Sequence, residues 1–404
     1  MKYLILIMDG AADLPIPELG NKTPLQVAKK ENIDYLAKIG STGLFNTIPV
    51  GCSPDSTTAN LSILGYDPKK YNIGRGVIEA YAKEIEIKDD EIAFRCNLIT
   101  VKENKIKSYS AGYISNQEAA QLIEYLNEKM GNERVKFYPG VGFRNILILK
   151  GDFSEEIKCY PPHDYNGYNI DEIKVKPISE KGKKTAEFLN NLIYQSNKYL
   201  EFHPVNIKRE KEGKEKANFI WLWSPGRKPN IEKFYDRYKI NGCIISAVDL
   251  IKGIGKMIGF EIINVPGATG LWDTNYENKA EYAIKALEKF DLVYVHVEGI
   301  DEASHEGNVE LKIKCIEDFD KRLVKNIIKK IDLNSIKIAV LPDHYTPVKL
   351  KSHKEGYVPF LIYSPFEKPD KVEKFDEESC KNGKFEKIEG NEFINIFLRG
   401  IKCI

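Results

Sequence analysis

The chain has 404 residues, 42% hydrophobic and 29% charged, enough for a large core and two or three domain-sized units. Sixty basic residues against 59 acidic ones leave a net charge of +1, which gives no electrostatic footing for nucleic acid or an anionic membrane. Seven cysteines without a C-x-x-C pair argue against a disulfide framework or a cysteine-built zinc site and point to a reducing, cytoplasmic setting.

The first element is an apolar run, Tyr3 to Met8, read as a buried strand. It is too short to cross a membrane, and no later stretch is long enough. The turn Asp9-Gly10 follows, then a helical pattern over Pro24–Ile39 with Leu25, Val27, Ala28, Ile33 and Leu36 on its apolar face. Residues 88 to 180 read as strands near Ile92–Val101, Lys105–Tyr109, Phe143–Leu149 and Ile157–Tyr160 with one helix, Asn116–Met130. That hairpin-like pattern predicts a small α+β domain inserted into a larger one. The charged run Lys208–Lys216 reads as a solvated loop.

The second half alternates. Strands are expected at Phe219–Trp223, Cys243–Val248, Leu292–Val297, Ile338–Leu341 and Val358–Tyr363, and helices around Asp249–Ile258, Asn278–Phe290 and Val309–Ile331. Apolar strands separated by amphipathic helices predict an α/β domain, its mostly parallel sheet covered on both faces, over residues 1–87 and 181–404.

Chemistry-bearing residues gather where strands end. Asp9 follows the first strand, Asp301 and His305 follow Leu292–Val297, and Asp343 and His344 follow Ile338–Leu341. Ligands of open α/β sheets bind beyond the carboxyl ends of the strands, so three such ends can converge. His353 precedes the last core strand, so three of only six histidines fall in this pattern. Taken singly, each has a plainer reading as a turn, cap or surface residue; their joint placement is the argument. Mixed Asp and His ligands suit Mn²⁺ or Zn²⁺ better than Ca²⁺. The turn-rich segment Gly51–Asn60 leads into a helix start, and a hydroxyl there, beside a metal, could serve as a nucleophile.

Several segments together resemble the archaeal-type cofactor-independent phosphoglycerate mutases of the alkaline phosphatase superfamily. They are Ile7–Gly20, Lys22–Leu25, Ala59–Pro68, Gly74-Arg75-Gly76, Phe94–Leu98, Pro162-His163-Asp164 with Gly167, Gly226–Pro229, His296–Glu298 and Asp301–His305. The resemblance implies an alkaline-phosphatase-like α/β fold with residues 88–180 capping the substrate. It implies two divalent ions, Mn²⁺ foremost, with Zn²⁺, Co²⁺ or Mg²⁺ as alternatives. One would take Asp301, His305 and His353; the other Asp9, Ser56, Asp343 and His344. Ser56 is selected over Ser53 by its spacing to Ala59-Asn60.

The implied reaction is isomerisation of 3-phosphoglycerate to 2-phosphoglycerate in glycolysis and gluconeogenesis. It would pass through a phosphoserine and need no 2,3-bisphosphoglycerate. Three carboxylates and a serine alkoxide balance two divalent ions, so a substrate carrying roughly three negative charges needs Arg or Lys. Candidates are Arg227, Lys228, Arg144, Arg95 and Arg75, with Asn60 donating to a phosphoryl oxygen and His163 or Asp164 moving protons. The family's Gly-Ser-Asp around the nucleophile reads Asp55-Ser56-Thr57 here, and Tyr113 replaces a family His. Those departures keep open a metal-dependent phosphatase or another phosphomutase. The other alternative is a non-catalytic binding protein on a decayed enzyme fold. Oligomeric state is not legible, and no phosphate-cradling nucleotide loop is present.

Overall fold

Lys2 and the apolar run behind it form strand Lys2–Met8, with Leu4 through Met8 wholly buried. A strand covered on both faces belongs in the middle of a parallel sheet. The computed structural model, which describes residues 1–71 and 73–399, places it there. In spatial order the sheet runs Glu261–Ile262, Gly242–Ile245, Leu292–Val297, Lys2–Met8, Ile336–Leu341, Tyr357–Tyr363, Ser41–Asn46 and Lys387–Glu389. Only Tyr357–Tyr363 runs against its neighbours; every other ladder is parallel. Helix Tyr276–Lys289 and the segment from Val309 to Ile328 bury Ala280, Ala283, Ile316, Phe319 and Leu323 in one cluster with Leu4, Leu6 and Met8.

The chain divides into two compact units, Met1–Asn72 with Ile231–Ile404, and Ile73–Asn230. The inserted unit is therefore longer at both ends than the 88–180 read from sequence. Strand Phe219–Arg227 was expected in the large sheet. Instead it pairs antiparallel with Glu91–Lys102, which also pairs with Arg144–Lys150 and Lys105–Ser108. Helix Lys183–Leu200 belongs to this unit too, burying Leu189, Leu192 and Ile193 with Leu222 and Trp221. Apolar runs identify strands, but periodicity does not say which sheet a strand joins.

Other expectations shift locally. The helical pattern at Pro24–Ile39 is two helices, Pro24–Val27 and Glu31–Lys38, because Ala28 turns extended. The run expected as a solvated loop, Lys208–Lys216, is helical over its first four residues, the end of helix Pro204–Lys211, and loop thereafter. Its Arg209 is buried, donating to the Ala111 and Glu215 carbonyls and pairing with Glu118.

Candidate metal centre

The register of the large sheet assembles the site. Ile7 is paired with His296 on one side and Leu341 on the other, so Asp9, Asp301 and Asp343 follow neighbouring parallel strands that end together. Tyr357–Tyr363 is antiparallel, with Val340 opposite Leu361. It therefore begins at the edge where the others end, and the loop before it delivers His353 there. Asn46 lies opposite Tyr357, so the chain leaves Ser41–Asn46 at this same edge and reaches Ser56. All seven residues read from the sequence thus come to one edge of one unit.

Their polar atoms point at one another. Nε2 of His305 is 3.1 Å from Asp301 Oδ2 and 3.0 Å from His353 Nε2, which is 3.5 Å from the same carboxylate oxygen. Nδ1 of His305 meets the Lys351 carbonyl at 3.0 Å and Nδ1 of His353 meets the Pro54 carbonyl at 3.1 Å. A carbonyl only accepts, so in neutral rings both protons sit on Nδ1. Two nitrogen lone pairs and a carboxylate then converge, a donor set that could hold a cation. The hydrogen bond to Asp301 holds the His305 pKa up at about 9.

Beside it, Nε2 of His344 is 3.1 Å from Ser56 Oγ, 3.4 Å from Asp9 Oδ1 and 3.6 Å from Asp343 Oδ2. Asp9 Oδ2 lies 3.1 Å from His296 Nε2. Burial, then the charges of Asp343, Asp301 and Glu298, push the Asp9 carboxyl well up. Asp9 Oδ1 and His296 Nε2 are buried without a hydrogen-bond partner. Orphaned buried acceptors are costly, and divalent cations would satisfy them. Among the described residues, two trios of potential ligand atoms lie within 4.8 Å of one another: Asp301, His344 and His353, and Asp9, His296 and Asp343. The residues present therefore fit a two-cation centre of mixed oxygen and nitrogen donors.

Ser56 opens helix Ser56–Ile63, where Asp55 is the cap and accepts from the Thr58 amide at 2.9 Å. The departure from the family's Gly thus serves as an N-cap. Asn60 differs from its expected role as a phosphoryl donor. Its amide protons go to the Ser56 carbonyl at 2.8 Å and Asp343 Oδ2 at 3.0 Å, and its oxygen accepts from Tyr294. With no exposure and no proton to spare, it fixes the Ser56 carbonyl and the Asp343 carboxylate instead.

The other expected substrate groups lie in the second unit, where only some come together. Gly76 has no room for a side chain, since a Cβ would stand 2.6 Å from the Phe94 backbone. Helix Arg75–Ala82 therefore packs directly on strand Glu91–Lys102 and sets Arg75 near Arg95. Arg95 is buried, 3.3 Å from Glu79 and stacked over Trp223. Desolvation lowers its pKa to about 10, with Arg75 and Arg144 adding to the drop. His163 lies against Trp223 and Tyr109 and 3.7 Å from Asp164. Burial lowers its pKa, and Arg75, Arg95 and Arg144 contribute. Arg227 and Lys228 are engaged elsewhere. Arg227 donates to the Phe153 carbonyl at 2.6 Å and pairs with Glu155, and Lys228 pairs with Asp89. Tyr113 has φ 53° and an exposed ring, with its hydroxyl 3.0 Å from that of Tyr109.

His296 was not among the ligands read from the sequence. Its signal was there, an imidazole inside the apolar strand Leu292–Val297, but a lone histidine in a strand gives no ligand spacing. Thr346 left no signal at all.

A family profile described as 2,3-bisphosphoglycerate-independent phosphoglycerate mutase matches residues 37–206. A Methanosarcina acetivorans protein of that name is 47% identical over 402 residues, 99% of this chain and 100% of its own length. One from Methanocaldococcus jannaschii is 38% identical over 98% of this chain and 96% of its own. Among solved structures, a Pyrococcus horikoshii protein superposes with TM-score 0.84 at 30% identity, covering 100% of this chain and 98% of that one. A cofactor-independent phosphoglycerate mutase from Thermoplasma acidophilum gives 0.69 at 29% identity over 99% of both chains.

Proposed function

The chain belongs to the 2,3-bisphosphoglycerate-independent phosphoglycerate mutase family, and from that premise we propose how its own residues carry the isomerisation of 3-phosphoglycerate to 2-phosphoglycerate. The observation that carries the reading is the close approach of Ser56 Oγ to His344 Nε2, 3.1 Å, within a ring of converging carboxylates and imidazoles. Asp9, Ser56, Asp343 and His344, with His296 against Asp9, would hold one divalent ion. Asp301, His305 and His353 would hold the other. Bound ions supply Lewis-acid stabilisation of the charge on the transferred phosphoryl group.

Ser56 is the nucleophile. Its place at a helix N-terminus favours the alkoxide, and the Asn60 amide fixes its backbone carbonyl. Ser56 Oγ attacks phosphorus and takes the phosphoryl group from the 3-hydroxyl of the substrate. The glycerate then recovers that group on its 2-hydroxyl, so the transfer is split into two covalent steps. Arg75, Arg95 and Arg144 are assigned the substrate's negative charge, since guanidinium groups suit bidentate contact with carboxylate and phosphate. His163, whose pKa burial lowers, can take up and return the proton that moves between the glycerate hydroxyls. Neither the phosphatase nor the decayed-fold alternative is favoured. Relatives aligned over 98–99% of the chain carry the mutase name, and the approach of Asp9, Ser56, Asp301, His305, Asp343, His344 and His353 to one another supports a working centre.

The test is an assay of Mn²⁺-loaded protein on 3-phosphoglycerate without 2,3-bisphosphoglycerate, following 2-phosphoglycerate and free phosphate separately. The expected result is 2-phosphoglycerate with little phosphate. Release of phosphate alone would replace the mutase reading with a phosphatase.

A further inference from the structure

The two groups of candidate ligands share one side chain that is itself no ligand. Thr346 is fully buried, and its Oγ1 lies 2.5 Å from Asp301 Oδ1 and 3.1 Å from His344 Nδ1. The direction of these bonds follows from chemistry. The Asp301 carboxylate can only accept, so the single hydroxyl proton goes to it, and the remaining lone pair accepts the Nδ1 proton of His344. His344 then carries its lone pair on Nε2, facing Ser56 and Asp9. Asp301 has Oδ1 tied down and turns Oδ2 toward His305 and His353. One hydroxyl thus sets the tautomer of a ligand in one group and the orientation of a ligand in the other.

Thr346 is held in turn from both sides. Its amide donates to the Ala12 carbonyl at 3.2 Å, and its own carbonyl accepts from Lys312 Nζ at 3.0 Å. Lys312, also fully buried, pairs with Asp13 Oδ2 at 2.8 Å. Asp13 Oδ2 also accepts from the Val348 amide at 3.1 Å. The loop after the first strand and the loop after Ile336–Leu341 are thereby clasped around this hydroxyl.

We propose that Thr346 is a positioning residue that couples the two cation sites: the ion that fixes Asp301 orders the hydroxyl that presents His344 to the other, so the two ions bind cooperatively. This rests on the two-ion reading above. Outer hydrogen-bond partners of metal ligands typically change affinity 10–100-fold when removed. Here one partner serves two sites, so its loss should weaken both and uncouple them.

The test compares wild type, Thr346→Val and Thr346→Ser. Imidazole ¹⁵N spectra of the metal-free proteins report the His344 tautomer, and Mn²⁺ titration followed by the EPR signal of the free ion reports stoichiometry and cooperativity. The proposal expects the Nδ1-protonated tautomer and two cooperative ions in wild type. Thr346→Val should lose that tautomer and about 10–100-fold of affinity at both sites, and Thr346→Ser should restore both. Wild-type affinity and cooperativity in Thr346→Val, or an Nε2-protonated His344 in wild type, overturns the proposal while leaving two-ion binding intact. Should Thr346→Val not fold, Thr346→Ala replaces it in the same comparison, and the wild-type tautomer decides independently of either variant. Fewer than two ions in wild type overturns the underlying reading as well.

Discussion

At the scale of single residues, the site leaves almost no tolerance. Gly10 has φ +62°, and a Cβ there would stand 2.2 Å from Asp301 Oδ1 and 2.7 Å from Thr346 Oγ1. Its amide also donates to Asp343 Oδ1 at 3.0 Å. Gly10→Ala therefore meets both an unfavourable backbone conformation and a collision with the Asp301 carboxylate and the Thr346 hydroxyl that donates to it. It should lower Mn²⁺ affinity at least 10-fold by equilibrium titration, on the scale of lost outer-sphere partners, while the far-ultraviolet spectrum of the fold stays near wild type. Ser56→Ala should abolish isomerisation and the phosphoserine found by mass spectrometry after acid quench, at a stability cost of about 1 kcal/mol or less, since Asp55 is the cap. Ser53→Ala should leave turnover close to wild type. Activity surviving in Ser56→Ala would remove the nucleophile from the mechanism.

At the scale of elements, the loops bearing the site are braced by buried charge. Glu377, distant in sequence, accepts from the Asp13 amide at 3.0 Å and from Thr23 Oγ1 at 2.6 Å, tying the first loop to helix Pro24–Val27. Burial pushes its pKa up to about 7. The folded state then holds the proton more tightly than the unfolded chain, whose carboxyl titrates near 4.3. The stabilising contribution is fully present below that value and is lost as pH rises to about 7. Glu377→Gln lacks this term. Urea midpoints should show the variant gaining on wild type between about pH 4.5 and 7.5, by on the order of 3 kcal/mol, and a constant difference above. A constant difference throughout would mean Glu377 is not protonated in the fold. A second brace lies at Glu31–Lys38, whose cap residue Lys30 makes no side-chain cap. Asp320, in the π-helical turn Phe319–Val324, accepts the Asn32 and Ile33 amides at 3.0 and 2.8 Å instead. Helix propensity along Val309–Ile331 suggested one uninterrupted helix. The wider turn takes its place there, where Asp320 caps a neighbouring helix.

At the scale of the whole molecule, the second unit is one unbroken stretch, Ile73–Asn230, with its own core around Phe94, Leu98, Leu122, Leu147, Leu189 and Leu222. The first unit is made of two stretches, and its sheet sets Lys2–Met8 and Ser41–Asn46 from the first among strands from the second. A fragment covering Ile73–Asn230 should therefore fold alone and unfold cooperatively in urea, as continuous domains with their own core do. One covering Ile231–Ile404 should not, because it lacks the central strand Lys2–Met8. A disordered Ile73–Asn230 fragment would show that its core depends on the rest of the chain.

The sequence by itself determined the class of the large sheet and the seven residues gathered at its edge. Apolar strands buried on both faces are read from composition alone, and acids placed after such strands are drawn to one edge by the geometry of parallel sheets. It also carried the family through contiguous motifs. Tertiary structure alone decided which sheet takes Phe219–Arg227, because an apolar strand fits either until its partners are present. It alone separated Arg75, Arg95 and Arg144 from Arg227, since an arginine's partner is a neighbour in space and not in sequence. It showed Asn60 with both amide protons committed, and it brought in His296 and Thr346. A hydroxyl that bridges candidate ligands 45 residues away on one side and two on the other leaves no spacing to read; only the closed fold gives it two partners at once.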